Sequence, residues 1–413
     1  MALRIQRKLV RRLELGRTTV VDGDCLTVDA DFLRSFVEAR DEHIVSVRVR
    51  VAAPGESTRI LCVKDVIEPR VKLDDAPPGE GETLALDGVA VVTTGPIVGF
   101  QEGIIDMSGP GADYTPFSRL ALVVIEIEVR AGTSAHEHEA AVRHAGLDAA
   151  EYLAAQCRKV APDRTDEFAW IGAAAAATLP RVACVDMVLS QGLLHDTYVL
   201  GRNAIEGMPR ILDPLVAIDG GIVSGNCVSA CDKTTTWHHQ HNPVISELLE
   251  GHGQRWNFVG LVVTNLPTRL AEKQRSAERA VALARELAPA GAILTKEGFG
   301  NPDADLMMLI DGLEAAGIRT VAITDEFAGP EGDSQSLADT TAAADALVSV
   351  GNANERIKLP PMQDVIGPLP DVARLAGGYP HSLGEDGSLE VELQAIVGAT
   401  NQLGFGNLTC REV

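Results

Sequence analysis

Residues 220–241 read GGIVSGNCVSACDKTTTWHHQH, and the side chains best suited to chemistry are concentrated there. Gly225, Asn226 and Cys227 stand in a row, followed by Ser229, Cys231, Asp232 and Lys233, then His238 and His239. Glycine and small residues around a thiol let the backbone bend sharply and let a carbonyl approach the side chain. In such a bend the Cys227 thiol can attack the Asn226 carbonyl, and an N-to-S acyl shift turns the peptide bond into a thioester. Hydrolysis of that thioester leaves an N-terminal cysteine. β-Elimination instead leaves dehydroalanine, which tautomerises and loses ammonia to give a pyruvoyl group, and this second exit is the one expected here. Elimination needs a base for the Cα proton of Cys227 and an acid for the imine nitrogen. Imidazole suits both tasks, so His238 and His239 are candidates, with Asp232 and Lys233 orienting groups or stabilising charge.

Each of these residues also has an ordinary use. Cys227 would serve as a buried thiol, and the histidines as solvated residues of a threonine-capped helix start. Cys227 and Cys231 are half of a metal site at most, because no second pair has matching spacing. His136 and His138 lie two apart, about 200° around a helix, and would not converge on one ion. Glu137 and Glu139 suit a helix start there. His195 and Asp196 follow a predicted strand, where α/β folds place ligands, and His195 joins the catalytic candidates. Gly298, Gly300 and Asn301 sit between a strand and a helix, where backbone N–H groups can face a carboxylate or phosphate. The stretch matches no dinucleotide or P-loop fingerprint, so neither nucleotide nor metal is expected.

These residues need a scaffold, and its class follows from the hydrophobic pattern. At 413 residues the chain can form two or three packed domains. Residues 45–51 (VSVRVRV) alternate like a half-buried strand, and residues 59–66, 89–94 and 120–129 are further β-branched runs. Residues 104–118 are rich in Gly, Pro and Asp, and read as a loose irregular segment. Helices are expected over 137–158 and 165–179, and a buried strand over 181–189. Beyond the Asn226–Cys227 loop, strands at 257–264, 291–295, 319–324 and 346–350 alternate with helices at 268–287, 302–316 and 337–346. Such apolar strands joined by helices form a parallel sheet covered on both faces. The expected fold is α/β, with a β-rich N-terminal part and α/β layers, mainly parallel, on both sides of the processing loop. The domains expected are a β-rich unit over 1–130, an α/β segment over 131–226, and a Rossmann-like unit over 227–413.

A formal net charge of −22 argues against nucleic acid or an anionic membrane as the partner. The basic N-terminus lacks a signal-peptide core. Seven cysteines at irregular spacing make no disulfide framework, so a cytoplasmic protein is expected.

Longer motifs then become recognisable: VKDVIEPRVK (63–72), GPIVGFQEGIIDMSGPGADYTPFS (95–118), SQGLLHDTY, IVSGNCVSACDK, EGFGNPDADLMM, DSQSLAD (333–339), GNANE (351–355), KLPPM and GATNQLGFGNLT. Across nearly its whole length the chain resembles the proprotein of the α and β subunits of component B of glycine reductase, a group shared with sarcosine, betaine and D-proline reductases. The resemblance implies a cut between Asn226 and Cys227 and a covalent pyruvoyl group from Cys227, which would bind a small amine substrate as a Schiff base. It further implies a partner subunit whose selenolate or thiolate cleaves the C–N bond reductively, a small selenoprotein carrier, and thioredoxin as the electron source. Two readings from other classes remain: an N-terminal-nucleophile amidohydrolase built on Cys227, and an unprocessed scaffold subunit.

Overall fold

The computed structural model describes residues 2–98, 102–170, 172, 176, 178–192, 196–225 and 234–403. The N-terminal half holds strands β1 (Ala2–Leu9), β2 (Ile44–Ala52), β3 (Thr58–Ile67), β4 (Arg70–Lys72), β5 (Gly81–Asp87), β6 (Val89–Thr94), β7 (Gly103–Asp106) and β8 (Ala121–Val129). Helix α1 (Ala135–Ala155) and strand β9 (Arg164–Ala169) follow. One mixed sheet runs β7-β3-β6-β8-β2, and a second runs β9-β1-β5-β4. Ser134 caps α1 in a reciprocal capping box with Glu137, which satisfies two otherwise orphaned donors. The helix buries Ala141, Ala145, Ala149 and Leu153, one stripe at four-residue spacing, against Val91, Val123 and Ile125 of the first sheet.

The second half is built on β10 (Arg181–Leu189), β11 (Arg210–Leu212), β12 (Asn257–Leu266), β13 (Gly291–Lys296), β14 (Arg319–Glu326) and β15 (Leu347–Asn352). Helices α2 (Thr236–Gln240), α3 (Pro243–Gly251), α4 (Leu270–Leu287) and α5 (Asn301–Ala315) belong with them. The sheet order is β11-β12-β10-β13-β14-β15. All neighbours pair in parallel except the edge strand β11. Among the parallel strands the chain order is thus second, first, third, fourth, fifth. The order reverses between β10 and β13, and in doubly wound sheets the crevice beyond the carboxyl ends at such a reversal is where ligands bind. β12 is buried along nearly its whole length because α4 covers one face and α3 packs with the core on the other.

Three local expectations need correction. The first part of the helix expected over 165–179 is instead strand β9, which pairs antiparallel with β1 from Ala2↔Ala169 to Arg7↔Arg164. The alternation of RTDEFA puts Asp166 against Arg7 at 2.5 Å, and Trp170 Nε1 donates to Phe258 O at 3.0 Å, so pairing overrides alanine propensity. No helix forms over 337–346. Asp339 Oδ1 accepts from Thr340 N, and Asp303 Oδ2 accepts from Ala338 N, local bonds that compete with a helical ladder. Residues 104–118 are firmly packed: β7 leads into two 3-10 turns, Pro110–Tyr114 and Pro116–Arg119, and Phe117 is fully buried.

The N-terminal core contains fully buried charge. Arg59 on β3 makes a fork to Asp106, with Nε–Oδ1 and Nη2–Oδ2 both 2.7 Å, and reaches Pro360 O at 3.1 Å. Removing one member of such a pair strands the other. We therefore expect Arg59→Met to lower stability by about 3–5 kcal/mol in chemical denaturation. The double change Arg59→Met/Asp106→Leu should recover most of that loss.

Candidate functional site

Asn226, Cys227, Ser229, Cys231, Asp232 and Lys233 lie outside the described residues, as does His195 in a separate segment, but the residues on either side of 226–233 are fixed. Upstream, Gly225 N–H donates to Asp196 O at 2.9 Å. A Cβ at Gly225 would stand 2.5 Å from that same oxygen, so the close approach requires glycine. Downstream, Thr234 donates its hydroxyl to Glu297 Oε1 and lies 3.2 Å from His239 Nε2. The two flanks meet: Ser224 N donates to Thr236 Oγ1 at 3.0 Å.

Beyond the loop, α2 carries the two histidines. Thr235 is its N-cap, as a threonine-capped start would have it, but both rings are buried rather than solvated. His238 Nδ1 accepts from Thr235 N–H at 3.0 Å, and Phe117 and Trp237 pack edge-on against the ring. Burial, reinforced by His239 and His241 nearby, holds this imidazole well below the usual histidine range, so it is neutral. Gly398 comes close enough that a Cβ there would lie 3.0 Å from His238 Nε2.

His239 belongs to a different network. Its Nε2 is 3.0 Å from Glu297 Oε1, while Glu297 Oε2 accepts from Leu189 N at 2.7 Å and from Thr197 Oγ1 at 2.6 Å. Glu297 immediately follows β13, and Leu189 ends β10, so this carboxylate occupies the point where the strand order reverses. Asp186, also on β10, accepts from Thr295 Oγ1 at 2.8 Å; burial raises its carboxyl, with His239 and that hydrogen bond opposing.

The helix is tied to the N-terminal half as well. Asp65 accepts from Thr236 N at 2.9 Å and from Thr236 Oγ1 at 2.6 Å. At the other end His241 Nε2 sits 2.8 Å from Glu68. Burial alone would raise the Glu68 carboxyl, but His241, Arg70 and Arg7 outweigh it and hold it far below the usual range.

Of the remaining expected site residues, Gly298 and Gly300 both adopt left-handed backbone, at φ 78° and 75°. The N-cap of α5 is Gly300, one residue before Asn301. Gly300 N–H donates to Asp303 Oδ2 at 3.2 Å, and Gly298 O accepts Lys296 Nζ at 2.6 Å. Lys296 also meets Asp303 at 3.0 Å and Asp325 at 3.3 Å. Asn301 Oδ1 accepts from Gln191 Nε2 at 3.3 Å, just beyond the end of β10. His136 is exposed and His138 half-buried on α1, and no cluster of three or more metal-ligating side chains occurs among the described residues.

The sequence model of the glycine/sarcosine/betaine reductase component B subunits matches residues 1–411. The glycine reductase complex component B subunits alpha and beta of Acetoanaerobium sticklandii are 46% identical, with both chains covered in full. The sarcosine reductase complex component B subunit alpha of Peptoclostridium acidaminophilum is 43% identical, again over the whole of both chains. The chain belongs to this component B family. A more distant relative, the D-proline reductase proprotein PrdA of A. sticklandii, is 22% identical over 76% of this chain and 53% of its own. No solved structure matches. None of the described helices is long and apolar enough to cross a membrane.

In this component B subunit the residues that sequence reasoning overlooked are Glu297, Thr197 and Asp186. Only Glu297 had a positional signal: a carboxylate directly after an apolar parallel strand faces the crevice where such folds bind ligands.

Two outcomes follow. Gly225→Ala should displace the Asp196 carbonyl and lower the thermal midpoint, with a loss on the order of 1–3 kcal/mol. His238 has a folded pKa below its unfolded value, so the unfolded chain takes up its proton first and stability falls as pH drops below about 6.5. His238→Gln, which keeps a capping side chain, should flatten that acid limb in thermal melts recorded against pH.

Proposed function

We propose that the chain is a self-processing proprotein of a reductase complex, cut between Asn226 and Cys227 into chains 1–226 and 227–413. Cys227 is the residue that would become the pyruvoyl group. The observation that carries this reading is the meeting of the two flanks of residues 226–233. Gly225 is pinned to Asp196, Ser224 to Thr236, and Thr234 to Glu297, so the residues on either side of 226–233 are held together beside a buried imidazole and carboxylate. Ends held this close favour bending of the chain between them, and buried imidazole and carboxylate groups can take and return protons. Family membership supports it further, and one relative is itself named a proprotein.

The described residues fit a carbonyl group at this position. His239 Nδ1 is buried without a hydrogen-bond partner among the described residues, and Thr197 and Thr234 supply hydroxyls around Glu297. The group would supply an electron-withdrawing carbonyl to which a primary or secondary substrate amine is joined as a Schiff base, weakening the C–N bond. Around it Glu297 orients His239, and the apolar surroundings of α2 exclude water. The names of the relatives speak of complexes, so we infer partner subunits. One supplies the selenolate or thiolate that attacks the substrate carbon, with a small selenoprotein carrier and thioredoxin downstream. The substrate is a small amine in the class of glycine and sarcosine.

The test is an intact-mass spectrum of the denatured protein. Two fragments are expected, the C-terminal one lacking the elements of hydrogen sulfide and ammonia and carrying one added water. An intact N-terminal cysteine would overturn the pyruvoyl assignment in favour of an amidohydrolase. A single uncut chain would overturn self-processing in favour of a scaffold.

A further inference from the structure

The carboxyl edge of the parallel sheet has a second recess, on the other side of β10 from Glu297. A cavity of about 510 Å³ lies between the ends of β10 and β12 and the first turns of α4. Crevices at this edge are where doubly wound sheets take ligands, and the volume suits a small molecule. Arg275 and Arg279 stand four apart on α4, so they share one face of the helix, and both line the cavity. Like charges at this spacing repel. Both arginines are exposed, and neither guanidinium has an ion pair or hydrogen bond among the described residues. In a chain with a net charge of −22, two neighbouring cations without an ion-pair partner mark a place for an outside anion.

The floor of the cavity supplies neutral donors. Ser190, the first residue after β10, is only 4% exposed. Its Oγ accepts from Leu266 N–H at 3.0 Å, and its own hydroxyl hydrogen has no acceptor among the described residues. Asn265 also lines the cavity; its Oδ1 accepts from Ser276 Oγ at 2.6 Å, which leaves the amide N–H groups as donors. No side chain caps α4, so the N–H groups of its first turn add to the positive potential. The one carboxylate in the lining is Glu272, three residues before Arg275, and the ionised lining groups therefore sum to one positive charge. Ile205, Met208 and Pro209 give the cavity an apolar wall.

We propose that this cavity binds a small monocarboxylate. Arg275, Arg279 and the Ser190 hydroxyl hold the carboxylate, and the apolar body of the ligand lies against Ile205 and Met208. Guanidinium groups suit the task because their planar fork matches the two oxygens of a carboxylate. The charge count selects a monoanion: one negative charge balances the lining, whereas the second charge of a phosphate dianion would face Glu272 uncompensated. The carboxylate has two possible sources, a simple carboxylic acid or an α-amino acid whose ammonium group meets Glu272. The proposal is built on described residues alone and holds whether or not the chain is cut.

The test is saturation-transfer NMR on the full-length protein in a phosphate-free buffer, with isovalerate and L-valine as probes. The two share a carbon skeleton and differ only by the ammonium group. At least one of them is expected to bind the wild-type protein, and inorganic phosphate at equal concentration should not displace it. Arg275→Gln and Arg279→Gln should each weaken binding about 10-fold, and the double change should abolish it. Both side chains are exposed, so thermal melts that superimpose on wild type show that the fold is kept. Ile205→Ala should narrow the preference for isovalerate over acetate. Glu272→Gln separates the sources: weakened L-valine with isovalerate retained marks an amino acid, and strengthened isovalerate marks a simple acid. Failure of both probes to bind the wild-type protein, undiminished binding in the double variant, or displacement by equimolar phosphate would each overturn the proposal. None of these outcomes depends on the state of residue 227, so the self-processing reading stands or falls separately.

Discussion

The carboxylate of Glu297 is the point on which the second half of the molecule turns. Buried ionised carboxylates are costly unless their lone pairs are filled. Here a backbone N–H from the end of β10, two threonine hydroxyls and an imidazole fill them. Those donors come from three separate stretches of chain: the strand end and the segment after it, the downstream foot of the loop, and α2. One carboxylate therefore fastens these stretches of chain together. The preceding residue, Lys296, is equally buried and satisfies its charge with Asp303 and Asp325. Two ionic networks, one around Lys296 and one around Glu297, thus meet at the end of β13.

The second fastening is on the N-terminal half. Asp65 holds the first residue of α2, and Glu68 holds His241 just after its last, so a five-residue helix with no stability of its own is clamped at both ends by groups from β3 and the residue after it. His238 and His239 thus sit on a rigid element, although each faces a different environment. One ring completes a cap and packs against Phe117, and the other joins the carboxylate network.

Much of this was legible from residue order. The apolar runs that became β10, β12, β13 and β14, and the amphipathic spacing of α4 and α5, announce a parallel sheet with helices, because burial on both faces leaves few alternatives. What could not be read were choices made by distant partners. RTDEFA becomes a strand because β1 pairs with it and offers Arg7 to Asp166, and residues 104–118 are packed because Arg59 requires Asp106. The position of Glu297 after an apolar strand was readable, but its partners were not, since its donors lie 58 to 108 residues away in sequence. Patterns of period two or 3.6 report on local elements and carry no record of such pairings.

The chain does not keep its two halves apart. Residues Asp364–Ile366 pair in parallel with β3, and Val397 N–H donates to Ile104 O on β7, so the C-terminal part is woven into the sheet of the N-terminal part. Breaking one peptide bond in the loop would therefore create two polypeptides without creating two separable bodies. Their association would be inherited from folding and not won by diffusional encounter, since each would supply strands that the other's sheet requires. Fragments made separately and then mixed would have to fold in order to bind, whereas fragments born by a cut within a finished fold are already assembled. The interface between such subunits is simply the old interior of one protein.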